Sequence, residues 1–131
     1  MPTATAPTET KEKASPYAQF VITLSVPDVA QLRIHYNTYQ WKRMLVLDIL
    51  KHRDKALEIL RTSPPVERIM LLSPEEFHQS ESFQTTPQRL AEIDQSVEVL
   101  KGLGLRAGLT GRSAFFRAFG RMLLRGDFDS D

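Results

Sequence analysis

Four arginines in the last quarter of the chain are the side chains best suited to chemistry or to binding contacts. Arg117, Arg121 and Arg125 recur at i, i+4 spacing, so on a helix they form one ridge. Arg112 precedes this ridge by little more than one helical turn. Because guanidinium groups bind phosphates and carboxylates through charge-assisted hydrogen bonds, we predict that these four arginines contact phosphate groups or an acidic partner.

Other chemistries find little support in the residue types. The 131-residue chain has no cysteine, and its histidines, His35, His52 and His78, lack the spacing of metal ligands. The adjacent Glu75 and Glu76 fall in the first turn of a predicted helix, where carboxylates favour the helix dipole. No nucleophile motif or Gly-rich cofactor loop is recognisable. We therefore expect no enzymatic activity, no metal site and no cofactor.

The apolar residues between the arginines fall on a second face of the same predicted helix. Phe115, Phe119, Met122 and Leu123 share this face with Phe116. One interpretation is a helix that packs its aromatic face on a bundle and leaves the arginines in solvent. Another is that the arginine ridge meets phosphates or an acidic protein, and a membrane-surface helix is a third.

The stretch from Leu100 to Phe119 resembles the second helix-turn-helix unit of AraC-type transcription regulators. The resemblance is carried by Leu103, Gly104, Gly108, Thr110, Ser113, Phe115, Arg117 and Phe119 at that family's spacings. It implies that Gly104 allows close helix approach, Gly108 makes the turn and Thr110 caps the second helix. It also implies that Leu103, Phe115 and Phe119 pack the unit, while Arg112 and Arg117 face DNA.

The element that must position these groups is predicted to be one long helix over residues 28–62, which contain neither Gly nor Pro. Its apolar side carries Ile34, Trp41, Leu45, Ile49, Ala56 and Leu60. At about 1.5 Å per residue, a continuous helix here would be about 50 Å long. We expect the shorter helices to pack against it.

The residues before this helix have a different character. Residues 1–16 are polar and without periodicity, and we expect a disordered tail. Residues 17–26 alternate apolar and polar side chains, which predicts an extended, strand-like arm. This arm either pairs with a second chain, lies along a helix, or is not a strand. A strand followed by Pro-Asp and a helix is also similar to ribbon-helix-helix DNA-binding dimers.

Shorter helices are predicted over residues 66–101. After a short helix at 66–72, the sequence Ser73-Pro74-Glu75-Glu76 is a capping box, which predicts a helix to about Ser82. Thr86-Pro87 predicts the start of another helix, which ends near Lys101. A basic amphipathic helix over 112–125 and an acidic tail over 127–131 complete a helical domain over 17–126.

These features together predict an all-α fold, a helical bundle around one long helix with an extended N-terminal arm. The net charge is +1, with an acidic middle and a basic end. We expect no secretory signal and no transmembrane segment. The lack of cysteine excludes a small secreted disulfide scaffold but does not fix the compartment, for which the sequence favours an intracellular location over secretion. The predicted function is a non-enzymatic interaction or assembly subunit that binds other protein subunits or its own copies through the long helix, the arm and the basic helix. The alternative is a helix-turn-helix DNA-binding regulator, with nucleic acid as the partner.

Overall fold

The chain folds as a mixed arrangement of helices and a small sheet. A computed structural model describes residues 17–74, 77–103 and 111–129. These ranges contain, in chain order, β1 (Ala18–Ser25), α1 (Val26–His35), α2 (Trp41–Thr62), α3 (Pro65–Leu72), β2 (His78–Thr85), α4 (Pro87–Gly102) and α5 (Gly111–Leu124). The predicted all-α class is therefore wrong, because the described residues include a two-stranded antiparallel sheet. The tail predicted over 1–16 lies outside the described residues.

The predicted N-terminal arm is strand β1, and its partner comes from the same chain. β1 pairs with β2, with Ala18 opposite Thr85 and Ser25 opposite His78. Most of β2 lies where the capping box predicted a helix to about Ser82. Ser73 instead ends α3 with an extended backbone (ψ 149°), which is the conformation that a following proline favours.

The predicted helix over 28–62 is two helices, α1 and α2, joined by a turn. In that turn the side-chain oxygen of Asn37 accepts the backbone N–H of Tyr39 at 2.9 Å, and its carbonyl accepts the N–H of Gln40 at 3.1 Å. An asparagine side chain that bonds nearby backbone offers the chain an alternative to helical hydrogen bonds. As a result, Ile34 is 77% exposed, whereas Trp41 and Leu45 are buried as the helical pattern predicted.

Helix α5 forms the centre of the core. Ten of its 14 residues are buried, and it packs against β1 and against the four other helices of the described chain. The ring of Phe116 lies 5.8 Å from that of Phe20 and 5.2 Å from that of Phe83, so α5 holds both strands by aromatic contacts. Helix α5 is therefore the central element of the fold, whereas the sequence predicted that the helix over 28–62 is central and that the other helices pack against it.

The remaining elements lie close to their predicted positions. α4 begins at Pro87, and the hydroxyl of Thr86 accepts the N–H of Arg89 at 3.2 Å as an N-cap. The residues predicted as an acidic tail include Phe128, which is buried and stacks on the ring of Phe119 at 4.8 Å. None of the helices in the described ranges combines the length and the hydrophobicity that crossing a bilayer requires.

Candidate functional site

Helix α5 runs beside the outer edge of β1 and bonds to it through side chains. Ser113 accepts the backbone N–H of Thr23 at 2.9 Å, and Arg117 donates to the carbonyl of Thr23 at 2.9 Å. An uncovered strand edge exposes unpaired N–H and C=O groups. These two side chains, one helical turn apart, therefore satisfy the backbone of Thr23 in place of a third strand.

Arg117 is buried and bonds to carbonyl groups of two different elements. Its side chain also donates to the carbonyl of Leu72, the last residue of α3, at 2.9 Å. Burial lowers the pKa of its guanidinium, the neighbouring Arg121 lowers it further, and Asp28 opposes this change. With 3% of the residue exposed, Arg117 joins β1 to α3 and presents almost no surface to solvent.

Arg121 lies one turn further along α5 and closes the carboxyl end of α3. One of its terminal nitrogens donates to the carbonyls of Met70 at 2.6 Å, Leu71 at 3.0 Å and Ser73 at 2.7 Å. Its other nitrogens bond Asp28 at 3.0 Å and the hydroxyl of Ser25 at 2.9 Å. The last carbonyls of a helix lack partners within the helix and carry partial negative charge, so two guanidinium groups stabilise this end. We call Arg117 and Arg121 the arginine clamp.

The outer two arginines of the predicted set form ion pairs within the chain. Arg125 bonds Glu67 of α3 at 3.1 Å and Asp127 at 2.6 Å, and these hydrogen bonds raise its pKa against the opposing effect of burial. Arg112 bonds both oxygens of Asp94 at 2.8 Å. The hydrogen bonds from Arg112 hold the pKa of Asp94 below its usual value.

Arg68, in the middle of α3, ties this helix to two others, and the sequence did not indicate this role. Its guanidinium donates to the carbonyls of Leu60 at 2.8 Å, Arg61 at 3.2 Å and Ser63 at 3.3 Å, at the carboxyl end of α2. It also donates to the carbonyl of Leu103 at 3.1 Å, just after α4. Nothing in the sequence separates Arg68 from a solvated helix arginine, because the bonds depend on tertiary approach.

The outer face of α3 is apolar and exposed. Val66, Ile69 and Met70 are 71%, 45% and 68% exposed, and their i, i+3, i+4 spacing places them on one side of the helix. Leu71 and Leu72 are buried on the opposite side. We call Val66, Ile69 and Met70 the α3 face. The sequence carried a signal for it, since five apolar residues in this short helix exceed what one buried side accommodates.

Two further exposed apolar residues lie near the α3 face. The guanidinium of Arg121 bonds both Met70 and Ser25, so the end of β1 lies beside the end of α3. The N–H of Val26 bonds the carbonyl of Phe77 at 3.1 Å, and these residues are 42% and 71% exposed. Val26 and Phe77 are therefore further exposed apolar residues close to the end of α3.

The second helix of the predicted helix-turn-helix unit corresponds to α5, which is mostly buried. Phe115 and Phe119 are fully buried in the core, and Leu103 packs against it from a half-buried position. Gly104 and Gly108 lie outside the described residues. A recognition helix must present one side to a DNA groove. α5 is covered by other elements on most of its circumference, and Arg117 points into carbonyls of its own chain.

No group of three potential metal-ligating side chains occurs among the described residues. An open groove of about 740 Å³ between α4 and the start of α5 is lined by Ala91, Gln95, Val97 and Gly111 together with the charged residues Asp94, Glu98, Lys101 and Arg112. Two of these, Asp94 and Arg112, are already paired with each other.

Comparisons of the chain with protein-family models, with curated proteins and with solved structures found no match.

Proposed function

We propose that the chain is a small non-enzymatic interaction module that binds a partner protein through the α3 face. The observation that carries this proposal is the exposure of Val66, Ile69 and Met70 on one side of a helix. Contiguous exposed apolar patches larger than a few hundred Å² are uncommon on monomeric proteins, and even the largest patch of a typical monomer is often a functional surface. Val26 and Phe77 are exposed apolar residues near the end of the same helix.

The mounting of α3 supports the same proposal. The arginine clamp fixes its carboxyl end, and Arg68 ties it to the ends of α2 and α4. A binding surface that is already ordered loses less conformational entropy when a partner arrives. An eight-residue helix is marginal alone, so these bonds have the effect of displaying α3 as a rigid element.

The surfaces predicted from the sequence make contacts within the chain. The apolar side of α2 is in the core, the arm is strand β1 of the sheet, and α5 is the central helix. The proposal therefore assigns the contact to α3. The DNA-binding alternative gains no support from the described residues, because the arginines it needs are bonded internally.

Site-specific photo-crosslinking of the full chain in its native cells tests this proposal. A photoreactive amino acid replaces Met70 in one variant and Ile34 in the control, which is also apolar, helical and exposed (77%). We expect discrete protein adducts from position 70 that are absent from position 34 and that disappear when Val66 is also changed to Glu. Equal labelling at both positions, or none at 70, would contradict the proposal.

A further inference from the structure

The methionines of the chain differ widely in how much solvent reaches them. Met70, on the α3 face, is 68% exposed, whereas Met122, on the central helix α5, is fully buried. Met44 on α2 is half-buried, and Met1 lies outside the described residues. A thioether reacts with a peroxide only where the oxidant reaches the sulfur, so exposure decides the order of reaction. Of the three described methionines, Met70 is therefore the one that reacts first.

We propose that Met70 is an oxidation site that switches off binding at the α3 face, a role that rests on the proposed function. The oxidant is a peroxide. The sulfur of Met70 attacks one peroxide oxygen, so that an S–O bond forms and the O–O bond breaks. Sulfur gives up two electrons, and the second oxygen leaves as hydroxide, which takes the proton from the first oxygen and becomes water.

The product lacks the property on which binding at the α3 face depends. Methionine sulfoxide is polar, whereas Met70 is one of the three exposed apolar residues that carry the proposed function. A partner that covers this face must then remove the sulfoxide oxygen from water, and an apolar surface offers that oxygen no hydrogen-bond donor. Binding is therefore weaker after oxidation.

The fold does not depend on the side chain of Met70. Its contact with the arginine clamp goes through the backbone carbonyl, which accepts a hydrogen bond from Arg121 at 2.6 Å. Oxidation of the sulfur leaves this carbonyl unchanged. Met122, in contrast, lies in the core, where close packing around α5 keeps the oxidant away. The modification therefore changes the surface of α3 while the helix stays in place.

The modification of Met70 is also reversible. Methionine sulfoxide reductases, one for each epimer of the sulfoxide, restore the thioether. In this step two thiol groups are oxidised to a disulfide, the sulfur is reduced, and its oxygen leaves as water. The α3 face can therefore return to its apolar state without new synthesis of the chain.

Peptide mapping of the full chain after treatment with hydrogen peroxide tests the selectivity. We expect the sulfoxide of Met70 to form at least about tenfold faster than that of Met122, because Met122 is enclosed by the core. The midpoint of thermal unfolding should be the same for the chain oxidised at Met70 and for the untreated chain. Equal rates at the two positions, or a lowered midpoint, would overturn the role of Met70.

Photo-crosslinking measures the effect of oxidation on binding. The purified full chain carries a photoreactive amino acid at Val66, is treated with peroxide, freed of it by catalase and added to untreated extract of its native cells. We expect the yield of protein adducts to fall by about tenfold or more, because burial of a methionine side chain contributes at least that factor. Treatment with both methionine sulfoxide reductases and dithiothreitol should restore the yield.

Met70→Leu is the matched control for this measurement. Leucine keeps the surface apolar but has no sulfur, so the adducts of this variant should survive the same peroxide treatment. Loss of adducts in the leucine variant, or unchanged adducts after oxidation of Met70, overturns the switch and leaves the proposed function standing. Absence of adducts from the untreated chain overturns both.

Discussion

At the scale of single residues, the arginines of α5 act as a substitute for missing backbone partners. Arg117 and Arg121 donate to five backbone carbonyls, one in β1 and four at the end of α3. Charge-assisted hydrogen bonds of this kind contribute about 1.5 to 3 kcal/mol each, but a buried charge also loses hydration. The balance is favourable where several carbonyls converge on one guanidinium.

Arg117→Met tests the importance of burial for this role. The substitution keeps much of the apolar volume but leaves the carbonyls of Thr23 and Leu72 without their donor, so we expect unfolding free energy to fall by about 3 kcal/mol. Arg125→Met is the control, because its ion pairs are partly exposed (38%) and contribute less than about 1 kcal/mol. Urea denaturation of dilute samples measures both. Equal losses for the two variants would contradict the structural role of Arg117.

Residue types alone could not assign these roles. A ridge of arginines at i, i+4 spacing has the same pattern whether it faces solvent, phosphate or buried carbonyls. The pattern of Phe115, Phe119 and Met122 did indicate which side of α5 packs inward. The pattern did not indicate that the arginine side of α5 is also covered. The edge of β1 and the end of α3, which cover it, reach it only in the tertiary structure.

At the scale of elements, α5 is defined by how it ends and by a glycine within it. Gly126 follows the helix with φ +88°, its N–H bonds the carbonyl of Leu123 and the N–H of Asp127 bonds that of Met122. This is the Schellman arrangement, for which glycine is preferred at the left-handed position. Gly120, in contrast, lies within the helix, where glycine costs about 1 kcal/mol relative to alanine.

Alanine at these two glycines should therefore have opposite effects. At Gly120 a Cβ would meet the side chain of Leu32 at 3.6 Å, an ordinary contact, so we expect Gly120→Ala to raise stability by about 0.5 to 1 kcal/mol. At Gly126 a Cβ would lie 3.0 Å from Asp129 in a strained backbone, so Gly126→Ala should lower it by about 1 kcal/mol. Thermal unfolding followed by circular dichroism distinguishes the signs. A destabilised Gly120→Ala would mean that α5 packs more tightly against α1 than described.

The elements differ in how strongly the sequence specified them. The alternation of Phe20, Ile22 and Leu24 predicted β1, and the Thr86 cap predicted α4. The sequence did not predict β2, because Phe83 is its one buried apolar residue. The other residues of the strand are polar, so the segment was interpreted as the continuation of a capped helix. The sequence did not predict the turn at Asn37, because the turn contains neither Gly nor Pro. For the candidate site, the sequence predicted helix α3 but not the arginine hydrogen bonds that hold α3 in place.

At the scale of the whole molecule, the residues after α5 return to the core. Phe128 is 6% exposed and its ring lies between His52 of α2, at 5.0 Å, and Phe119, at 4.8 Å. Both contacts are stacked, with interplanar angles of 17° and 19°. The segment predicted as an acidic tail therefore joins α2 to α5.

Phe128→Ala should lower the unfolding free energy by about 3 kcal/mol, because it removes a buried ring and leaves a cavity beside Phe119. Phe77→Ala is the matched control. Its ring is 71% exposed, so we expect a change of no more than about 0.5 kcal/mol in dilute solution. Chemical denaturation in dilute solution measures both. Similar small changes would show that the end of the chain contributes little to the fold.

The position of α5 along the chain has a consequence for biosynthesis. The side chains that bond the backbone of Thr23 follow it by 90 residues, at Ser113, and by 94 residues, at Arg117. Contacts between such distant residues form slowly, because a long loop must close first. Both strands and four helices therefore leave the ribosome before α5, the helix that packs against them, has emerged. During that interval Phe20 lacks its contact with Phe116, and apolar surface that is exposed before folding is complete is what chaperones protect.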